Sequence, residues 1–264
     1  MAVTVVVKLG GELVGGPKMA ELARDIQALS DAGDRVVVTH GGGPQATALS
    51  KKLGIEPRMV GGRRITDAPT LDVMKMTIAG QVNVDLCAAL RATGLKPVGL
   101  HDVVRAHKRP PRVVSGGGPE PIDFGHVGDV DDFDLSLLDR ILDGGWLPVV
   151  ACLGHGGDGA VYNINADIVA NQLAGALKAD ALVLVTGAPG VLRDINDAAS
   201  RIPRLTIAEG KRAIADGVVS GGMIPKLEES FAALSLGARA IYIVAGDLAR
   251  AVAEPGSVGT VLVP

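Results

Sequence analysis

Runs of β-branched residues alternate with stretches of helical period along most of this chain. Residues 3–9 form an apolar, mostly β-branched run that ends at Gly10-Gly11, the pattern of a buried strand feeding a backbone-exposing turn. Residues 18–32 follow with Met19, Leu22, Ala23, Ile26 and Leu29 at helical spacing and a stop near Gly33. Residues 35–39 repeat the strand pattern and run into His40-Gly-Gly-Gly-Pro44, and a helix is expected over roughly 45–53. This strand, glycine, helix rhythm predicts a doubly wound α/β sheet.

Residues 57–65 read as a short irregular strand pair. Thr66-Asp67-Ala-Pro69 is a capping signal that opens a long helix to about Thr93, with a strand over 96–100. Residues 101–130 have no helical period and many Gly and Pro, so hairpins are expected there. A helix over 134–143, a strand over 147–151, a turn over 154–159, a short strand over 160–163 and an Ala-rich helix over 166–177 complete the first half. The second half repeats the theme: a strand over 181–185 ends in Thr186-Gly-Ala-Pro-Gly190, helices are expected over 206–216 and 225–236, and a strand over 238–244. Residues 260–263 read as a closing edge strand. No linker separates the halves, so one continuous sheet is expected, and no repeat of solenoid length occurs.

Composition supports this picture. Of 264 residues, 47% are hydrophobic but only 2% are aromatic, so the core must be built from Val, Leu, Ile and Ala, as in buried parallel sheets. The net charge of −3 gives no reason to expect a nucleic-acid partner. The one basic run, Arg105-Ala-His-Lys-Arg-Pro-Pro-Arg112, is short and reads as a solvated loop or hairpin. Cys87 and Cys152 are far apart, have no metal-ligand spacing, and are expected to be buried free thiols. No leader segment precedes the first strand and no apolar stretch is long enough to span a bilayer, which predicts a cytoplasmic protein without a membrane partner.

The candidate chemistry starts with three glycine turns at the C-terminal ends of predicted strands, the edge where open α/β sheets bind ligands. Glycine lets backbone N–H groups approach an anion, and a following helix N-terminus favours negative charge. None of the three turns is a dinucleotide fingerprint or a Walker loop. Lys8 lies inside the first strand, where a lysine is costly unless paired or facing a ligand. Lys226 follows Gly221-Gly-Met-Ile-Pro225 near a helix start, an unfavourable place for a cation unless a polyphosphate binds there. Asn163-Ile-Asn165-Ala-Asp167 sets polar groups at a strand end and helix start. Capping explains one of them, and an Asp there could fix both lysines. Arg63-Arg64 offers a carboxylate clamp, or a solvated pair. His40, His101, His107, His126 and His155 are scattered and form no catalytic or metal-spaced cluster; His40 lies nearest the expected site edge.

Taken in order, Val6-Val-Lys-Leu-Gly-Gly11, Thr39-His-Gly-Gly-Gly-Pro-Gln45, Gly62-Arg-Arg-Ile-Thr-Asp67, Gly125-His-Val-Gly-Asp129, Asn163-Ile-Asn-Ala-Asp167, Pro189-Gly-Val191 and Gly221-Gly-Met-Ile-Pro-Lys226 resemble the amino acid kinase family, most closely its acetylglutamate kinases. The resemblance covers nearly the whole chain. It implies a three-layer α/β/α sandwich with a mainly parallel central sheet. An acceptor-binding lobe would cover about residues 1–165 and an ATP-binding lobe about 166–264. The implied reaction is ATP-dependent phosphorylation of the side-chain carboxylate of N-acetyl-L-glutamate, with Mg²⁺ held mainly by the phosphates rather than by protein ligands.

On this resemblance Lys8 and Lys226 stabilise the moving phosphoryl group and Asp167 orients both. Gly42 and Gly43 cradle the reacting carboxylate, while Arg64 and Asn163 hold the α-carboxylate end. Gly10, Gly11, Gly187, Ala188, Pro189, Gly190, Val191, Leu192, Gly221, Gly222 and Met223 contact the nucleotide. A carboxylate acceptor is already ionised at neutral pH, so positioning and cationic neutralisation suffice without a general base. Two segments depart from the family pattern: Gly187 stands where Thr-Asp is usual, and Leu100-His-Asp replaces Leu-Ser-Gly before an expected lid hairpin over 101–112. The chain also starts almost at its first strand, without the N-terminal helix that accompanies arginine-inhibited hexamers in this family, so an arginine-insensitive homodimer is expected. Two other readings are a kinase for carrier-protein-linked 2-aminoadipate or glutamate, favoured by the basic run, and a non-catalytic binding relative, favoured by Gly187.

Overall fold

The computed structural model describes residues 3–114, 116–219, 221 and 223–264. The chain opens with β1 (Thr4–Leu9), α1 (Met19–Asp31), β2 (Arg35–His40) and α2 (Gly43–Lys52), then a small hairpin of β3 (Met59–Val60) and β4 (Arg63–Arg64). A long helix follows in three sections, α3 (Ala68–Met74), a π-helical stretch (Lys75–Val82) and α4 (Asn83–Arg91). Next come β5 (Pro97–Leu100), β6 (Val104–Lys108), β7 (Gly128–Phe133), α5 (Leu135–Asp143), β8 (Leu147–Ala151), β9 (Leu153–His155), β10 (Val161–Asn163) and α6 (Ala166–Ala176). The rest comprises β11 (Ala181–Val185), β12 (Arg204–Thr206), α7 (Ile207–Ala215), α8 (Met223–Ser235), β13 (Ile241–Val244), α9 (Leu248–Ala253) and β14 (Thr260–Val263).

One eight-stranded sheet, ordered β12-β14-β13-β11-β1-β2-β8-β5, runs through the molecule. Every pairing in it is parallel except β13 with β14. The strands β11, β1 and β2 are neighbours, so their three following turns open on one edge. Val5, Val7 and Leu9 of β1 face one apolar cluster with α1 and α4, and Val6 faces the other with α6. Both faces are therefore buried, which explains the continuous apolar strands. The α1 residues buried are Met19, Leu22, Ala23, Ile26 and Leu29, the helical stripe expected from spacing.

Several details correct the sequence reading. The strand over 260–263 is not at an edge: β14 lies between β12 and β13, and the unforeseen β12 forms the border. The strand β9 and the helix α9 also went unread; both are short. The one G-x-G-x-x-G spacing, Gly154, Gly156 and Gly159, belongs to the hairpin between β9 and β10 and not to a strand-to-helix phosphate loop. The helix α8 starts at Met223, two residues earlier than expected, which leaves Lys226 still in its first turn. Cys152 is buried, its thiol pushed up to about 12 by burial, whereas Cys87 is only half-buried. Among the described residues no helix is long and apolar enough to cross a membrane.

Candidate active site

The glycine turns after β1 and β2 touch backbone to backbone. A Cβ on Gly11 would stand 2.7 Å from the Gly42 nitrogen, so only glycine permits this approach. Gln45 locks the pair from the start of α2: its amide donates to the Gly11 carbonyl at 2.6 Å and to the Val14 carbonyl at 3.0 Å. The helix α2 begins immediately after Gly42 with no side-chain cap, so its first N–H groups remain available to an anion. Gly43 lies open there, with nothing within 4 Å of a would-be Cβ.

These turns border a cleft of about 530 Å³ lined on one side by Lys8, Gly11 and Gly41 to Gly43, and on others by Arg63, Arg64, Asn163, Asp167 and Glu229. Lys8 stands near the C-terminal end of β1 and is only 7% exposed. Its Nζ lies 2.7 Å from Asp167 Oδ1, and Lys226 Nζ reaches the same oxygen at 3.7 Å. These are ion pairs without hydrogen-bond alignment at Oδ1. Asp167 sits in the first turn of α6, where Asn165 caps the helix by accepting from the Asp167 N–H at 2.8 Å. Burial alone would raise the Asp167 carboxyl, but Lys8 and Lys226 outweigh it and hold the group below its ordinary value. It stays an anion between two cations.

Arg64 Nη2 donates to Thr47 Oγ1 at 2.8 Å and to the Gly43 carbonyl at 3.2 Å. Its Nη1 is buried without a partner, and burial lowers the guanidinium from its ordinary value. Asn163, at the end of β10, donates to Thr66 Oγ1 at 3.1 Å. Apolar Met74, Ile78, Phe124 and Val127 complete the cleft wall. Across it, Glu229 of α8 is raised above its ordinary value, first by burial and then by Asp167.

The remaining expected residues divide. Gly187, Ala188, Pro189, Gly190, Val191 and Leu192 follow β11 at the same sheet edge but do not line this cleft. Val191 is fully buried; its N–H donates to Thr260 Oγ1 at 2.8 Å and its carbonyl accepts from Ile202 at 2.8 Å, so it has no free polar group for a ligand. Thr186 Oγ1 holds the turn by accepting from the Ala188 N–H at 3.1 Å. Gly10, Gly221 and Met223 stand outside the cleft lining, and Gly222 lies outside the described residues. His40 is not at a site edge. It is fully buried, with Nδ1–H donating to the Gly41 carbonyl at 2.9 Å and Nε2 accepting from Asn83 at 3.0 Å. Burial lowers its ring below its ordinary value.

Sequence reasoning missed several cleft residues, Arg109, Arg112 and Glu229 among them. Arg109 is buried and paired to Asp129 at 2.6 Å, Arg112 lines the cleft, and so does Glu229. The basic run over 105–112 was the available signal; the expected solvated loop or hairpin holds for its first part, where β6 pairs antiparallel with β7, and not for Arg109 and Arg112. Arg105, His107 and Lys108 face solvent, whereas Arg109 and Arg112 turn inward.

A description of the amino acid kinase family matches residues 3–245. The chain belongs to the amino acid kinase family. It is 60% identical to an acetylglutamate kinase of Anaeromyxobacter sp. (strain Fw109-5), covering 98% of this chain and 99% of that protein. Identity is also 60% to an acetylglutamate kinase of Sorangium cellulosum, over 98% and 94% of the two chains. Among solved structures, N-acetylglutamate synthase from Neisseria gonorrhoeae, complexed with coenzyme A and N-acetyl-glutamate, superposes with a TM-score of 0.83 at 25% identity. The match covers 99% of this chain and 59% of that one. Lys8 and Asp167 line the glycine-walled cleft, and Lys226 reaches Asp167 from α8.

Proposed function

We propose that this chain is an ATP-dependent kinase that phosphorylates the side-chain carboxylate of N-acetyl-L-glutamate. One observation carries the reading: a single half-buried carboxylate, Asp167, tethers two lysines from opposite ends of the sequence beside an uncapped glycine-rich helix start. The acceptor carboxylate oxygen attacks the γ-phosphorus, the bond to the bridging oxygen breaks, and ADP leaves with its electron pair. No proton needs removing from the nucleophile. Lys8 and Lys226 neutralise charge in transit, Gly42 and Gly43 N–H groups hold the acceptor carboxylate, and Asp167 sets both lysines. Arg64 and Asn163 take the α-carboxylate end, and the apolar wall of Met74, Ile78, Phe124 and Val127 suits an acyl group.

The nucleotide would occupy the lobe of residues 166–264, along the turns after β11 and before α8. Among the described residues no cluster of three or more His, Cys, Asp or Glu could hold a metal. Asp167 is engaged by lysines, so Mg²⁺ fits best on the ATP phosphates, the ligands it prefers. We place the enzyme in the cytoplasm as a homodimer; exposed Met76 and Val84 on the long helix support association, and a hexamer on light scattering would overturn it.

The carrier-linked alternative loses its support, because His107, Lys108 and Arg109 are engaged by Asp131, Asp123 and Asp129. The test is hydroxamate formation with ATP and N-acetyl-L-glutamate, glutamate or 2-aminoadipate. Turnover confined to the acetylated acceptor is expected; none with any acceptor, despite ATP binding, would favour a non-catalytic protein.

A further inference from the structure

Four arginines line the cleft, and three of them are fixed by the fold. Arg109 is paired to Asp129 at 2.6 Å, and Arg64 is held by Thr47 and the Gly43 carbonyl. Arg112 is pinned by backbone pairing with Ile122 at 3.2 and 3.0 Å, its Nε buried. Arg63 is the exception. It is half-buried, and among the described residues its side chain has neither an ion-pair nor a hydrogen-bond partner.

The same cleft holds a matching anion. Glu229 of α8 is half-buried and also has no ion-pair partner among the described residues. Lys8 and Lys226, whose charges reach it, are both committed to Asp167. Burial and then Asp167 raise the Glu229 carboxyl, while Lys226, Arg63 and Lys8 oppose the rise, and Glu229 in turn favours the cation at Arg112. Arg63 and Glu229 therefore feel each other's charge without touching. Each has lost part of its hydration with no partner in return, a cost that contact would offset.

Arg63 also stands on a movable part of the wall. The β3–β4 hairpin is two residue pairs long, Met59 with Arg64 and Val60 with Arg63, and it turns through exposed Gly61 and Gly62 at φ of 53° and 74°. Its backbone anchors lie at the base, where the Ile65 N–H donates to the Arg58 carbonyl at 2.8 Å and the Thr66 N–H to the Phe124 carbonyl at 2.9 Å. A two-stranded ribbon this short has little stability of its own, so its tip tilts at small cost.

We infer that Arg63 and Glu229 are positioning residues that form an ion pair across the cleft when acceptor and nucleotide are both bound, drawing the β3–β4 hairpin toward α8. The inference rests on the kinase reading above. Such closure carries Arg64, the next residue on β4, with it and keeps water from the phosphoryl group in transit.

A contact and a long-range field make opposite predictions. Acting only at a distance on an anionic acceptor, Glu229→Gln would tighten binding and Arg63→Gln would weaken it, and the two effects would add. Acting as a pair, both single variants weaken binding and the double variant is no worse than either. Neither residue belongs to an apolar cluster, and Gln has the shape of the protonated acid, so packing is left intact.

The experiment compares wild type, Arg63→Gln, Glu229→Gln and the double variant. It reads KM for N-acetyl-L-glutamate at saturating ATP, and the calorimetric Kd for that acceptor with a non-hydrolysable ATP analogue bound. Each single variant should raise both constants about 2- to 10-fold, with kcat changed less, and the double variant should match the singles. An unchanged or lowered KM in Glu229→Gln overturns the inference, as do single defects that add in the double variant. In either case wild-type turnover of N-acetyl-L-glutamate leaves the kinase reading standing. Wild-type protein that neither binds nor phosphorylates that acceptor overturns both.

Discussion

Lys8 Nζ lies 2.7 Å from Asp167 Oδ1, joining the strand β1 to the first turn of α6 inside a largely buried cleft. Lys226 approaches the same oxygen at 3.7 Å, so one carboxylate fixes both cations. Lys8→Ala should lower kcat on the order of 10²- to 10³-fold while changing KM far less, since a cation aimed at developing charge acts mainly in the transition state. Steady-state kinetics decide it: an unchanged kcat removes Lys8 from the chemistry.

Asp167→Asn should lower kcat as well, because neither lysine keeps its anchor. The ion-paired carboxylate also contributes stability with a defined pH window. Its folded value lies below the ordinary 3.8, so the contribution is fully present above 3.8 and is lost as pH falls through the lowered folded value. The difference in melting temperature between wild type and Asp167→Asn should therefore be the same at pH 7 and pH 5. A difference that shrinks by pH 5 would show that Asp167 is not held as an anion.

The contact between Gly11 and Gly42 separates structural from ligand-facing glycines. Gly11→Ala places a Cβ 2.7 Å from backbone nitrogen and 2.9 Å from the Gly42 Cα, neither of which can swing away. A loss of about 1–3 kcal/mol in denaturant titrations is expected, together with loss of activity. Gly43→Ala meets nothing within 4 Å, so stability should hold while KM for the acceptor rises. Equal destabilisation in both variants would contradict this assignment.

Arg64 bridges Gly43 and Thr47 with Nη2, while its Nη1 is buried without a partner. Arg64→Lys keeps the charge but loses the planar fork. KM for the acceptor should rise about 10- to 100-fold with the KM for ATP unaltered. Calorimetric titration with acceptor alone provides the check without turnover.

His40 gives the fold a pH dependence of opposite origin. It is buried as a neutral ring, with a folded value below the ordinary 6.5. The unfolded chain takes up a proton below pH 6.5 that the folded chain refuses, so stability falls as pH drops. The slope is at most about 1.4 kcal/mol per pH unit until the folded value is reached. Urea unfolding between pH 7.5 and 5.5 should show it in wild type, and His40→Gln should flatten it.

The helical stripe of α1, the buried runs of β1, β2, β8 and β11, and the glycine turns are local facts, and the sequence alone determined them. Side-chain period and strand-ending glycines depend on neighbours a few residues away, and these were legible without any fold. The doubly wound sheet followed from their repetition. So did the suspicion attached to Lys8 and Lys226, because each breaks a local rule that a ligand or partner must compensate.

Only the tertiary structure decided which of those groups meet. That Lys8, Asp167 and Lys226 share one oxygen depends on packing α6 against β1 and α8 against α6, a non-local arrangement that no spacing encodes. The interior place of β14 depends on a return past β13 to pair with β12. Arg112 shows the limit most clearly. In a run of basic residues it reads as solvated, and it faces the cleft because a cluster around Phe124 and Ile122 fixes its segment against the β3–β4 hairpin. Local sequence sets where a chain turns and what each element buries; burial between distant segments sets which charges are left without water, and hence which of them can hold a ligand.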